Sequence, residues 1–292
     1  PVTTTDSVQT KHLRQSFRCS SDLIFPKYLK LLKMKKRLFA LPLIVLALII
    51  ALAACGRSAE ENEKPSEPKG NDGKVTVLLD AGHGFGDIGC KYDFLGGLSE
   101  SDLTLTYVSL IKNELENLGY TVLLTHDGIS FPLFSELCAL AEEKGVDFDP
   151  EKMKDNNVFD AYERTVYANI LAKDTEIDFM LSIHVNANAD SDKCEGFEID
   201  YCAENASSDV TKIIFSSVCD SLEKEFEGRK LKKFADSWDD SFIVTKYVSM
   251  PSVLLETGFA STESEAKLLT DVSWQSRLAS AVARGIKNYF EN

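Results

Sequence analysis

The sequence predicts an α/β fold: a single three-layer domain whose central, mostly parallel or mixed sheet is flanked by helices. Short β-branched and apolar runs alternate along the chain with stretches of helical hydrophobic spacing, as in layered α/β proteins. Two histidines directly follow apolar runs, at the positions where strands of such a sheet bring side chains to one edge. The chain has 292 residues, 44% of them apolar, which is enough for one sizeable core.

The elements of this domain follow one another from residue 74 to the end of the chain. An apolar run at 75–79 predicts a first strand that leads into a glycine loop. A helix is predicted from Glu100, because apolar residues recur at helical spacing until Gly119 ends it. Further strands are predicted at 120–124, 179–184, 196–201 and 252–256, and further helices at 162–173, 208–226 and 278–290.

The first 73 residues are predicted to lie outside this domain. Residues 34–54 have the layout of a secretory signal peptide, with a basic start and 17 uncharged residues at 38–54. That run is short for a transmembrane helix, which needs about 20 residues. The sequence LAAC at 52–55 resembles the lipobox of bacterial lipoproteins, so we expect acylation of Cys55. An uncleaved membrane anchor is the alternative, and both place the remaining chain outside the cytoplasm, tied to a membrane.

Two further segments flank this signal. Residues 1–33 are interpreted as an upstream, non-native extension, because Met34 is a natural start before the basic residues. Residues 55–73 have no large apolar side chain and are rich in Glu, Lys, Ser and Pro, which is typical of a disordered linker. The folded domain is therefore assigned to 74–292.

Charge and cysteine content exclude several functions. The formal net charge is −14, which argues against nucleic acid as a partner because phosphate binding needs clustered Lys and Arg. The seven cysteines form no C-x-x-C pair, so neither a zinc ribbon nor a thioredoxin-type site is indicated. A disulfide from Cys194 to Cys202 or Cys219 stays open, although we expect most cysteines to be buried or free.

Histidines suggest a metal site. The chain has four, and His83 and His184 each follow an apolar run, with glycines on both sides of His83. A catalytic zinc ion uses three protein ligands and leaves a fourth position for water, and two histidines with a glutamate form such a set. Each histidine taken alone is more often an ordinary polar residue.

Four ordered motifs strengthen this interpretation. They are LDAGHGFGDIG at 79–89, LSESDLTL at 98–105, Arg164 with AN at 168–169 followed by LSIHVNA at 181–187, and MPSVLLETGFAS at 250–261. In this order they resemble the motifs of the zinc-type N-acetylmuramoyl-L-alanine amidases, the amidase-3 family. The resemblance covers nearly all of 74–292.

The resemblance implies roles for single residues. His83, Glu100 and His184 would bind Zn²⁺, and Glu256 would be the general base. The reaction would be hydrolysis of the amide between N-acetylmuramic acid and the L-alanine of the stem peptide, with peptidoglycan as substrate. Residues taken without the resemblance support only hydrolysis of an amide or ester.

Asn186 and Arg164 match the family and are candidates for substrate binding. Turn capping is an equally good role for Asn186. The chain also departs from the family pattern, since Ser101 follows Glu100 where a basic residue is common, and His126 follows the second strand where arginine is common. We expect His126 to lie at the surface or behind the metal ligands.

The segment 127–160 is longer than the family pattern predicts. It has three interpretations: a lid, a docking surface for a protein partner, or inert decoration, of which the last is the simplest. Two other functions also remain open for the chain. One is a zinc peptidase acting within stem peptides, and the other is an inactive envelope lipoprotein that binds cell wall or a partner.

Overall fold

The computed structural model describes residues 74–151, 161–189, 191, 193–205, 207–235 and 243–291. The segments 1–73 and 152–160 fall outside the described residues. The predictions of a signal peptide, of a linker and of acylation at Cys55 therefore lie outside them too.

Six strands form one sheet with the order β2-β1-β3-β6-β4-β5. Their bounds are β1 Thr76–Ala81, β2 Thr121–Leu124, β3 Phe179–Asn186, β4 Phe197–Asp200, β5 Leu231–Phe234 and β6 Ser252–Phe259. The first four strands in this order are parallel to their neighbours, whereas β4 runs antiparallel to β6 and parallel to β5. The prediction of a mixed sheet is confirmed.

Seven helices surround the sheet in the described residues. Their bounds are α1 Glu100–Asn117, α2 Phe134–Lys144, α3 Ala161–Asp174, α4 Ser208–Glu225, α5 Ile243–Lys246, α6 Glu263–Leu269 and α7 Val272–Glu291. A short 3₁₀ turn at Asp93–Leu95 precedes α1. In the part of the chain that the structure describes, no helix is both long enough and apolar enough to cross a membrane.

Alternating residues of the strands build a core on each face of the sheet. Leu79 of β1 and Leu255 of β6 belong to the larger core, which includes buried residues of α1, α4 and α7. Leu78 of β1 and Met180 of β3 belong to the second core, together with residues of α3 and α5. Side chains alternate between faces along a strand, so burial on both faces requires helices on both sides. This confirms the three-layer α/β domain.

The described part of the insertion packs its own small cluster against α3. Leu137 and Ala141 of α2 are fully buried and join Val166 and Ile170 of α3 in a third cluster. The five described cysteines are free, as expected for most of them.

Candidate metal centre

The first histidine lies in a tight loop after β1. Backbone hydrogen bonds join Gly84 and Asp87 in both directions, at 2.8 and 3.0 Å, and close the loop. The carboxylate of Asp87 lies 2.6 Å from His83 Nδ1 and also accepts the Gly89 N–H at 3.0 Å. His83 has a left-handed backbone, with φ of 67°, which non-glycine residues rarely adopt. The loop therefore directs the opposite ring nitrogen, Nε2, towards α1.

The glutamate is the first residue of α1, where the helix start fixes its position. Ser99 and Asp102 form a reciprocal capping box around it. Glu100 is 5% exposed, and its oxygens accept backbone N–H groups of Cys90 at 2.9 Å and Val185 at 3.0 Å. These bonds hold the carboxylate between the β1 loop and the end of β3.

The second histidine is at the carboxyl end of β3, next to β1. A methyl group at Gly82 would lie 2.4 Å from Cε1 of His184, so this position has no room for any side chain. Thr257 of the neighbouring strand donates a hydrogen bond to the His184 carbonyl at 3.0 Å. The ring of His184 therefore lies directly against Gly82 of the β1 loop, and β6 holds its backbone.

The structure brings these three predicted residues together. Ligand-capable atoms of His83, Glu100 and His184 all lie within 4.8 Å of one another. Oε1 of Glu100 is 3.1 Å from His83 Nε2 and 3.2 Å from His184 Nδ1. Two atoms that each bind zinc at about 2.0–2.1 Å in a tetrahedron are about 3.3 Å apart. The three side chains therefore fit a zinc ion in donor type and in spacing.

Local electrostatics favour the ligand forms of two of these groups. Burial alone would raise the pKa of Glu100, but hydrogen bonds from His184 and His83 outweigh it and lower that pKa. Burial lowers the pKa of His184 although Glu100 opposes the shift. At neutral pH these two groups are thus carboxylate and neutral imidazole, the forms that bind a metal. For His83 burial is outweighed by hydrogen bonds to Glu100 and Asp87, which raise its pKa.

Glu256 lies beside the three residues on the adjacent strand. In the register of β3 and β6 it is the partner of His184. Its Oε2 atom is buried and has no hydrogen-bond partner, which is costly for a carboxylate unless another group or water engages it. Burial, followed by the charges of Glu100 and Glu198, raises the pKa of Glu256 well above its ordinary value. A carboxyl group with a raised pKa beside candidate metal ligands suits proton transfer.

Arg164 is placed differently from the prediction of substrate contact. It is 1% exposed, and its Nε donates to Asp80 at 2.9 Å. Thr125 and Ser182 donate to the same carboxylate, each at 2.7 Å. The prediction is corrected on this ground, because a guanidinium enclosed behind β1 has no surface for a substrate. Arg164 instead neutralises a buried carboxylate under the site.

The other predicted polar residues also have defined positions. Asn186 ends β3 and donates to Glu198 at 2.7 Å, while its Oδ1 accepts the N–H of Ala187. His126 is 3% exposed, and its Nε2 lies 2.7 Å from the carbonyl of Ala81. His126 is thus buried behind the β1 loop and does not belong to the group of three.

Two residues near the site were not assigned from the sequence. Asp87 orients His83. The only feature of the sequence that could have indicated this role is its position four residues after His83 in the same glycine loop. Glu198 is the register partner of Glu256 on β4, a signal that appears only once the two strands are paired.

The chain combines a layered α/β domain with two histidines and a glutamate at the carboxyl edge of its sheet. These features are typical of metal-dependent hydrolases. The family follows from comparisons with known proteins. The Amidase_3 family, described as N-acetylmuramoyl-L-alanine amidase, matches residues 77–288. The chain therefore belongs to this family and is an enzyme of the N-acetylmuramoyl-L-alanine amidase class, active on peptidoglycan, as the four motifs predicted.

The chain is similar over most of its length to several individual proteins, two of which carry amidase names. The germination-specific N-acetylmuramoyl-L-alanine amidase of Bacillus subtilis (strain 168) is 29% identical over 225 residues, which are 75% of this chain and 80% of that protein. The uncharacterized protein YqiI of the same organism is 29% identical over 251 residues, 85% of this chain and 96% of that protein. The CwlD amidase of Clostridioides difficile, solved in complex with the GerS lipoprotein, has a TM-score of 0.56 and 26% identity. The match covers 75% of this chain and 99% of that chain.

Proposed function

We propose that this amidase is zinc-dependent, with His83, Glu100 and His184 as metal ligands and Glu256 as general base. The bond cleaved is the amide between the lactyl group of N-acetylmuramic acid and the L-alanine of the stem peptide. The observation that carries the proposal is the convergence of the three ligand atoms within 4.8 Å, next to a buried carboxylate oxygen without a partner.

When bound, zinc supplies Lewis acidity that lowers the pKa of water to about 7 and polarises the scissile carbonyl. Asp87 fixes the ring of His83 by holding its Nδ1, so that Nε2 remains available as a ligand. The backbone N–H groups of Cys90 and Val185 hold the carboxylate of Glu100 in place. These contacts preorganise the ligands before the cation binds.

Proton transfer is the task of Glu256. Its carboxylate takes a proton from the attacking water and then delivers it to the departing amine of L-alanine. The raised pKa makes the ionised carboxylate of Glu256 a stronger base for the proton of water than an ordinary glutamate. Asn186 is the last residue of the neighbouring strand β3, two residues after His184, and binds substrate in our proposal.

We further propose that the enzyme acts outside the cytoplasm, held at the membrane by a lipid on Cys55. The signal-like segment 34–54 and the lipobox-like LAAC support this. An envelope protein is a candidate partner for the 127–160 segment. The complex of the related CwlD amidase with a lipoprotein supports that candidate.

Defined muropeptides test the reaction. The full chain is expected to release an intact stem peptide with a free L-alanine amine. Products cut within the stem peptide would indicate a peptidase and contradict the proposal. For the anchor, Cys55→Ala is expected to leave the membrane fraction while keeping its activity, and a variant that stays membrane-bound would contradict acylation at this residue.

A further inference from the structure

The β1 loop presents a large aromatic side chain beside the candidate metal centre. Phe85 lies two residues after His83, has a φ of 47°, and is 41% exposed. A left-handed backbone at a residue with a side chain costs free energy, and a phenylalanine that stays 41% exposed gains only part of the hydrophobic free energy of full burial. The hydrogen bonds of Asp87 and Gly84 hold the loop in this shape. The fold thus keeps an apolar ring at the loop tip against its local preferences, which points to a role in binding.

This ring continues into further aromatic side chains. The ring centroid of Phe85 is 5.5 Å from that of His126 and 6.1 Å from that of Phe131. Phe131 in turn lies 5.2 Å from Tyr167 of α3. We call Phe85, Phe131 and Tyr167 the aromatic wall, and the buried ring of His126 packs against it through Phe85. His126, Phe131 and Tyr167 line a cavity of about 350 Å³, with Asp127 among its polar lining residues. That volume is in the range of small-molecule binding sites.

The aromatic wall lies to one side of the site along the carboxyl edge of the sheet. His126 follows β2, and β2 is the outer neighbour of β1, from which the loop of His83 emerges. The opposite direction along the same edge leads through β6 to β4 and β5. There Glu198 accepts a hydrogen bond from Asn186 and forms an ion pair with Lys232. The two sides therefore differ in chemistry, one aromatic and one charged.

The substrate of the proposed reaction has the same asymmetry. One side of the scissile amide carries a neutral pyranose ring, with C–H bonds on its faces and hydroxyl groups around its rim. The other side carries a peptide with ionised groups. Aromatic faces carry partial negative charge and attract C–H groups, while a charged surface suits the peptide.

We propose that the aromatic wall binds the sugar ring on the glycan side of the scissile amide, with the stem peptide directed towards Asn186 and Lys232. This rests on the proposed function, because the amide must join a sugar to a peptide. It also assigns a role to the described part of the 127–160 insertion, since Phe131 comes from it.

Two substrates with the same scissile amide separate this role from general damage. One is a disaccharide-peptide, and the other is a lactoyl-peptide without any sugar. The variant is Phe85→Gly, because glycine adopts the left-handed backbone without strain and the loop is expected to keep its shape. The measured quantity is the ratio of kcat/KM for the sugar substrate to kcat/KM for the sugarless one.

We expect Phe85→Gly to lower this ratio about tenfold, mainly through KM for the sugar substrate. Phe131→Leu is expected to act in the same direction. The control Val272→Ala, at a residue that is 71% exposed at the start of α7, is expected to leave the ratio unchanged. An unchanged ratio in both aromatic variants would overturn the proposal.

Failure of the proposed function is distinguishable from failure of the aromatic wall. If the parent cleaves neither substrate, the reaction is wrong and calorimetry of the uncleaved disaccharide-peptide still tests the wall. Weaker binding to Phe85→Gly than to the parent would support the wall. Equal binding to both would overturn it.

Discussion

Replacing Glu256 by glutamine is expected to lower activity and to raise the stability of the metal-free protein. The amide has the size of the carboxyl group but does not take up a proton near neutral pH. General acid–base catalysis contributes about 10²–10⁴-fold to a rate. We therefore expect Glu256→Gln to lower kcat for muropeptide hydrolysis by about that factor, with zinc content unchanged because the side chain is not among the three converging ligands.

The same substitution is expected to stabilise the metal-free protein at neutral pH. Burial and the charges of Glu100 and Glu198 raise the pKa of Glu256, so the folded state binds this proton more tightly than the unfolded state. Below the unfolded pKa of about 4.3 both states are protonated and the group has no effect. As pH rises above that value the unfolded state ionises first, and folding loses up to about 1.4 kcal/mol per pH unit until the folded pKa is reached.

Thermal unfolding in the presence of chelator measures this difference. A loss of 1 kcal/mol shifts Tm by about 2–4 °C in a domain of this size. The Tm of Glu256→Gln minus that of the parent is expected to grow between pH 4.5 and 7. The control Glu204→Gln removes the charge of a side chain that is 78% exposed and should change neither activity nor Tm. Parallel pH profiles for parent and Glu256→Gln, or full activity of the variant, would refute the reasoning.

Three further predictions concern the supports of the site. Asp87→Asn weakens the contact that orients His83, so we expect zinc affinity to fall about 10–100-fold in a competition titration, whereas equal affinity would contradict an orienting role. Gly89→Ala places a methyl group 2.5 Å from Glu100 Oε2 at a φ of 62°, so bound zinc should be lost although the protein stays folded by circular dichroism; full zinc occupancy would argue against this tight packing. Arg164→Met leaves a buried carboxylate unpaired and should cost about 3–5 kcal/mol in urea unfolding, and a loss below 1 kcal/mol would show that the ion pair is not needed.

Most of the fold was predictable because its elements carry strong periodic signals. The strands at 76–81, 121–124, 179–186 and 252–259 appear where apolar runs indicated them. The strand Leu231–Phe234 was missed, since its sequence LKKF has two exposed lysines at the sheet edge and no apolar run. Edge strands lack the two-sided burial that produces such a run.

The convergence of His83, Glu100 and His184 was predictable from motifs, but the supporting contacts were not. His83 follows the strand β1, His184 lies near the carboxyl end of β3, and Glu100 starts a helix, so each position had a local signal. Arg164 was assigned to substrate binding because it matches the family motif, and a motif does not show whether a side chain is buried. Its burial depends on the ion pair with Asp80 of β1, which is 84 residues away in sequence. Only the tertiary pairing of β1 with α3 reveals it.

Zinc stoichiometry tests the central claim most directly. The full chain is expected to bind one zinc ion, and Glu100→Ala to bind none at the same metal concentration. Chelation should abolish wall hydrolysis in the parent, and added zinc should restore it. Unchanged hydrolysis by the chelated parent, with no metal detected, would contradict the assignment of His83, Glu100 and His184 as ligands of a catalytic cation.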